Sequence, residues 1–195
     1  MKKAIIAVLA LISAVAYSAD AQTKAFGARL GVNTIEASYL NILSSDTFLE
    51  ANAGLDTYCG KIGLIAEAAI NYSVFKPSFT ASGEWDVFAG LGLAAGYVYD
   101  NSLSTFTYRD PYYGNRYTVN DRWGMGPMAG VSAQIGISYT FESLPLRITL
   151  DARPIVGLHF AERIHPDSDK NGRLGLYGAG IRCCYPRLSV HYILF

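Results

Sequence analysis

A chain of 195 residues with 16 Lys and Arg against 16 Asp and Glu carries no net charge, which excludes the basic footprint expected of a nucleic-acid partner. Hydrophobic residues make up 51% of it, alongside 19 Gly and 14 Tyr, and beyond the N-terminus they are dispersed rather than gathered into a run that could form a spanning helix. The length suits one domain.

Met1-Lys2-Lys3, the apolar stretch from Ala4 to Val15, and Ala19-Asp20-Ala21 have the layout of a secretory signal peptide with cleavage after Ala21. The apolar stretch is shorter than the roughly 20 residues a transmembrane helix needs. No Cys lies near the cut to take a lipid. Residues 22–195 are therefore expected to form one exported domain. In an oxidising compartment Cys59, Cys183 and Cys184 are an odd number. Neighbouring cysteines rarely bridge, which leaves Cys59 paired with one of the other two, or three unpaired thiols.

From there the chain alternates with period two, the mark of strands whose two faces meet different surroundings. Phe26, Ala28, Leu30 and Val32 alternate around Gly27, Arg29 and Gly31, and Ile35, Ala37 and Tyr39 around Glu36 and Ser38. Leu49, Ala51, Ala53 and Leu55 follow, around Glu50 and Asn52. Ile62 to Val74 sets apolar residues against Gly63, Glu67, Asn71 and Ser73, and Trp85 to Tyr99 sets them against Asp86, Gly90, Gly92 and Gly96. Ala129 to Phe141 alternates throughout, with Ser132, Gln134, Ser138 and Thr140 between its apolar positions. Leu146, Ile148, Leu150 and Ala152 alternate with Arg147, Thr149, Asp151 and Arg153, and a last segment runs from Pro186 to Phe195. That makes eight strands. Gly172 to Tyr185 either extends the last strand or forms a further hairpin, which would raise the count to ten.

Breaks at 43–46, 76–83 and 142–145 are short, whereas 100–121 and 161–185 are long. In an up-and-down order these three short breaks fall on one side, and both long ones fall on the other together with the connections near 32–34 and 57–61, as in outer-membrane barrels whose two ends lie in the periplasm. The charged residues sit in mid-strand: Arg29, Glu36, Glu50, Glu67, Asp86, Arg147, Asp151 and Arg153. Facing lipid, an Arg at mid-depth costs about 2–4 kcal/mol; facing the lumen of a small barrel, opposite charges can pair. A spanning sheet must also close, since no edge N–H or C=O finds a partner in hydrocarbon. The sequence thus predicts an all-β fold, a closed antiparallel up-and-down transmembrane β-barrel filled by its own side chains, with a lumenal ion-pair network. Tyr72, Tyr97, Tyr99, Tyr139, Phe141, Trp85 and Trp123 are placed near strand ends, where aromatic rings suit the headgroup level.

Gly27-Ala-Arg-Leu-Gly, Phe88-Ala-Gly-Leu-Gly-Leu-Ala-Ala-Gly-Tyr, Gly136-Ile-Ser-Tyr-Thr-Phe, Leu144-Pro-Leu-Arg-Ile-Thr-Leu-Asp-Ala-Arg-Pro and the closing Leu188-Ser-Val-His-Tyr-Ile-Leu-Phe resemble the small outer-membrane β-barrel domain family of the OmpA/OmpX kind. The resemblance covers nearly the whole mature chain. It implies residence in the outer membrane of a gram-negative bacterium, contact with outer-membrane lipid, and assembly by the barrel-insertion machinery, which in this family reads a C-terminal aromatic. Phe195 fills that position, although Val190, Tyr192 and Leu194 alternate on a face that excludes it.

Candidate chemistry is sparse. Asp167, Asp169 and Asn171, followed by Gly172, match the first half of a calcium loop, but position twelve is Gly178 instead of a bidentate Glu. The stretch reads equally as a polar loop turning at Asn-Gly, and no other cofactor is expected. Residues 100–121 hold Phe106, Tyr108, Tyr112, Tyr113 and Tyr117 with Arg109 and Arg116, a mixture suited to a polar, ring-shaped extracellular ligand; residues 161–185 are the other candidate contact loop. Ser189 and His191 share a strand face, which alone is no triad. With no lipase or deacylase motif, no catalytic residue is assigned. The expected function is a structural or surface-interaction protein with a plugged lumen, the competing readings being a lipid A-modifying barrel enzyme and a soluble periplasmic carrier.

Overall fold

The computed structural model describes residues 23–100, 103–109, 112–122, 124–161, 173–178 and 184–194. Asp167, Asp169, Asn171, Trp123, Cys183 and Phe195 lie outside the described residues, as does the leader segment.

The period-two segments form long antiparallel strands, because each offers one apolar and one polar face and only an extended chain separates the two. In chain order they are β1 (Lys24–Leu30), β2 (Thr34–Ile42), β3 (Thr47–Asp56), β4 (Gly63–Phe75), β5 (Gly83–Tyr99), β6 (Leu103–Arg109), β7 (Arg116–Arg122), β8 (Met125–Phe141), β9 (Leu146–Ala152), β10 (Ile155–Ala161), β11 (Arg173–Leu176) and β12 (Arg187–Leu194). The ring runs β1-β2-β3-β4-β5-β8-β9-β12 and closes where β12 pairs back onto β1, Lys24 opposite Leu194 and Leu30 opposite Leu188. The chain is a closed, eight-stranded, antiparallel β-barrel.

Two of the eight positions are each shared by two strands. β9 and β10 both pair with β8 in one unbroken register, Ile135 opposite Ala152 and Ser132 opposite Ile155. The break between them falls at Pro154, which has no N–H for the ladder, while its carbonyl still accepts from the Ala133 N–H at 3.1 Å. β11 pairs with β10, and β12 with β9, so both lie along the same neighbour with residues 177–186 between them. The stretch read as a possible extra hairpin thus extends the wall at the loop end, and the ring count stays at eight. Residues 100–121, read as a loop, contain the hairpin β6–β7, a separate two-stranded sheet in which Leu103 faces Arg122 and Arg109 faces Arg116.

Both described chain ends and the turns at 43–46, 76–82 and 142–145 lie at one end of the barrel. There Lys76 holds the β2–β3 turn to the β4–β5 connection, donating to the Ser45 carbonyl and to Asp46 Oδ1 at 3.0 Å. The opposite end carries the β6–β7 hairpin, with Tyr112 and Tyr113 at its tip, 93% and 81% exposed.

The interior is narrow enough to demand glycine at a few points. A Cβ on Gly27 would stand 2.9 Å from the His191 Cα across the β1–β12 seam. One on Gly136 would stand 2.7 Å from Phe88 Cζ, so the missing side chain is what admits the Phe88 ring.

Candidate functional site

The barrel is inverted relative to a water-soluble one. Cross-strand pairing lines up Leu150, Leu188, Leu30, Ile35, Leu55, Leu64 and Tyr97 as one row around the outside, each residue facing the next across a strand boundary. Every one of the seven is exposed. A second set includes Leu93 opposite Val131 and Val131 opposite Val156. The rings of Phe79, Trp85, Tyr139 and Phe141 touch in sequence at the turn end, with centroids 5.8, 4.8 and 4.8 Å apart. At the loop end Tyr58 stacks on Tyr99 at 6.2 Å.

Inside, the side chains form three layers. Nearest the turn end is an apolar layer of Ala25, Leu40, Phe48, Phe88 and Ile193. Arg147 lies on it, its guanidinium carbon 4.7 Å from the Phe48 ring centre and its Nη2 3.1 Å from Asp86 Oδ2. Nearest the loop end is a second apolar layer of Ile65, Ala94, Val98, Met128, Ile155 and Tyr177. His159 is tied to it by Nε2, 3.2 Å from the Val98 carbonyl oxygen, and the Gly178 N–H donates to Asp100 Oδ2 at 2.7 Å.

Between the layers is a fully buried ionic cluster. Arg153 donates to Glu67 at 2.7 Å and lies 3.2 Å from Glu50. Arg29 contacts Asp151 closely and sits 3.4 Å from Glu50, 3.7 Å from Glu36 and 3.9 Å from Glu67. Arg187 donates to Glu36 at 3.0 Å and lies 3.5 Å from Glu67. Gln134 bridges two of the acids through its amide N–H, 2.9 Å from Glu50 and 2.9 Å from Asp151, and Asn52 donates to Glu50 at 3.0 Å. All of these charges but Arg153 rest on strands whose alternate residues face outward, so pleating aims them at the axis, and Arg153 continues the alternation of β9 into the break before β10. In a low-dielectric interior, attraction offsets the several kcal/mol lost per desolvated ion only when partners and hydrogen bonds are close, which is the geometry seen here.

Of the eight charged residues read from the sequence, six meet in this cluster, while Asp86 and Arg147 pair with each other nearer the turn end. Arg187 was missed. Its signal was present, since Arg187, Ser189 and His191 alternate with Leu188, Val190 and Tyr192, and the first of them is as buried as the others. Ser189 and His191 share the inner face, but the His191 partner is Ser38 of β2, with Nε2 and Oγ 2.7 Å apart. Among the described residues no group of His, Cys, Asp and Glu side chains has the arrangement of a metal site. Cys59 and Cys184 are both free and exposed.

No protein-family model matches the chain, and no curated protein matches it. Among solved structures it is similar to the N-terminal β-barrel domain of Pseudomonas aeruginosa OprF, at 13% identity over 89% of this chain and 96% of that one, with a TM-score of 0.41. Overlap at that level is loose. The barrel stands on the strand pairing of this chain itself.

Proposed function

We propose that this chain is an integral outer-membrane protein of a gram-negative bacterium, exported by residues 1–21 and folded from residue 22 onward as a non-enzymatic barrel with a plugged lumen. The observation that carries the reading is the unbroken outer row from Leu150 to Tyr97, set against Arg29 and Arg153, which expose no surface. Soluble monomers rarely expose contiguous apolar patches beyond a few hundred Å², whereas a barrel in lipid requires an apolar band on its outside, flanked by aromatic rings. Two apolar layers with an ionic layer between them support a lumen closed to solutes.

Both described chain ends share the end with the turns at 43–46, 76–82 and 142–145, which supports a periplasmic setting for them. The other end, with the β6–β7 hairpin and β11, then faces outward and is the surface available to an extracellular ligand. Outer-membrane lipid is the partner of the outer row. The barrel-insertion machinery is the expected assembly partner, with Phe195 as its signal. Calcium at Asp167, Asp169 and Asn171 stays a proposal resting on spacing alone.

Cell fractionation combined with gel mobility before and after boiling tests the reading. Recovery in the outer-membrane fraction, with a heat-dependent mobility shift, is the expected result. Recovery of the folded protein in the periplasmic pool without detergent would overturn it.

A further inference from the structure

The central cluster does not balance. Among the described residues four carboxylates, Glu36, Glu50, Glu67 and Asp151, are served by three guanidinium groups, those of Arg29, Arg153 and Arg187. Arg147 is engaged by Asp86 and does not correct the count. All four acids are almost wholly buried between the two apolar layers. A carboxylate left without a counter-charge in such a place costs several kcal/mol, and a buried group in that position neutralises itself in preference to staying ionised.

The contacts indicate where the surplus falls. Glu50 is held by two arginines and two amides, and Asp151 by Arg29 and Gln134, both through Oδ2, its Oδ1 having no hydrogen bond but its arginine nitrogen being shared with no second acid. Glu36 and Glu67 share one nitrogen, Nη1 of Arg187, which lies 3.0 Å from Glu36 Oε1 and 3.5 Å from each Glu67 oxygen. Glu67 has Arg153 besides. Among the described residues Glu36 has only Arg29 for its second oxygen, at 3.7 Å and with no hydrogen bond. Two carboxylates on one guanidinium nitrogen cannot both ionise cheaply, and they titrate as a pair.

We infer that the Glu36–Glu67 pair holds one proton in the folded barrel at neutral pH, so that a neutral carboxyl completes the ionic layer. Among the described residues the charged groups facing the pair are Arg29 from β1, Arg153 from the break between β9 and β10 and Arg187 from β12, with Glu50 of β3 and Asp151 of β9 sharing the first two arginines. The proton makes the layer neutral, three cations against three anions. The inference needs a sealed interior and not a membrane, so it can fail while the membrane reading stands.

Infrared spectroscopy of the folded full-length protein in detergent micelles at neutral pH tests it. A protonated-carboxyl C=O stretch that moves in D₂O is expected in the wild type and absent in Glu36→Gln. The same loss is expected in Glu67→Gln, which serves if the first variant does not fold, since either change leaves three acids for three arginines. Absence of the band from the wild type, or its persistence in a folded Glu36→Gln or Glu67→Gln barrel, overturns the inference. So does a wild type without the band whose stability rises with added Na⁺ or K⁺, which would put a bound cation where the proton is inferred.

Discussion

Arg153 Nη1 and Glu67 Oε2 stand 2.7 Å apart in the middle of the barrel, and neither side chain exposes any surface. Replacing one member of such a pair does more harm than the pair does good, because the partner keeps its charge and loses its neutraliser. Arg153→Ala is expected to destabilise the barrel by about 3–5 kcal/mol, the range for breaking a buried ion pair. Arg153→Met with Glu67→Met is expected to cost less than the single change, because no buried charge of the pair is left alone. Urea unfolding followed on gels through heat-modifiability gives these numbers; a double variant that costs as much as Arg153→Met and Glu67→Met added together would mean that the pair is not coupled.

The outer face makes the opposite demand. Leu91 lies midway along β5 and is 75% exposed. On a water-facing surface Leu91→Arg is close to neutral, whereas at the bilayer midplane it costs about 2–4 kcal/mol. The expected outcome is a loss of that size for refolding into phospholipid vesicles. Glu84→Arg, at the exposed start of the same strand near the turn end, is expected to change little. Equal effects at the two positions would argue against a lipid-facing wall.

How much of this was legible in the sequence depends on what a residue contrasts with. Arg29 or Asp151 stands out because its chain neighbours are apolar, so alternation alone shows which face it takes. Phe88, Val98 and Ile65 are apolar on a face that also carries glycine and acids, so nothing in the local pattern marks them as the material of the two apolar layers. Residues 103–109 and 116–122 offered Thr, Tyr and Phe without a clear polar and apolar side, so they read as loop although they pair as a hairpin. Ring closure through β1 and β12, and the meeting of Arg187 with Glu36, join residues more than 150 positions apart. No local pattern reports such distances.

Asp46 and Lys76 form an exposed ion pair between two connections at the turn end. The hydrogen bond from Lys76 and its positive charge hold the Asp46 carboxyl below the ordinary aspartate range. A carboxyl depressed on folding contributes stability that is present above its unfolded pKa and lost as pH falls through its folded pKa. The wild type is therefore expected to lose more stability than Asp46→Asn between mildly acidic pH and the region below the aspartate range. The difference should be small and should shrink in high salt, because both groups are well exposed. An Asp46 titration by NMR that is unchanged in Lys76→Ala would show that the contact is not held in solution.

Cys59 reports which way the barrel faces. It is exposed in the short turn Tyr58–Gly60 between β3 and β4, at the end opposite the chain termini, and it adopts a positive φ of 54° beside Gly60, which holds the tip of that connection in a tight bend. In an orientation with periplasmic termini this thiol points out of the cell. A Cys183→Ser, Cys184→Ser variant, with Cys59 as its one thiol, is expected to react with a membrane-impermeant maleimide on intact cells as fully as after lysis. A cysteine introduced at Ser45, in the β2–β3 turn, is expected to react only after the outer membrane is opened. The reverse pattern would turn the barrel over and put the β6–β7 hairpin in the periplasm. The reagent used is one that leaves a soluble periplasmic thiol untouched on intact cells.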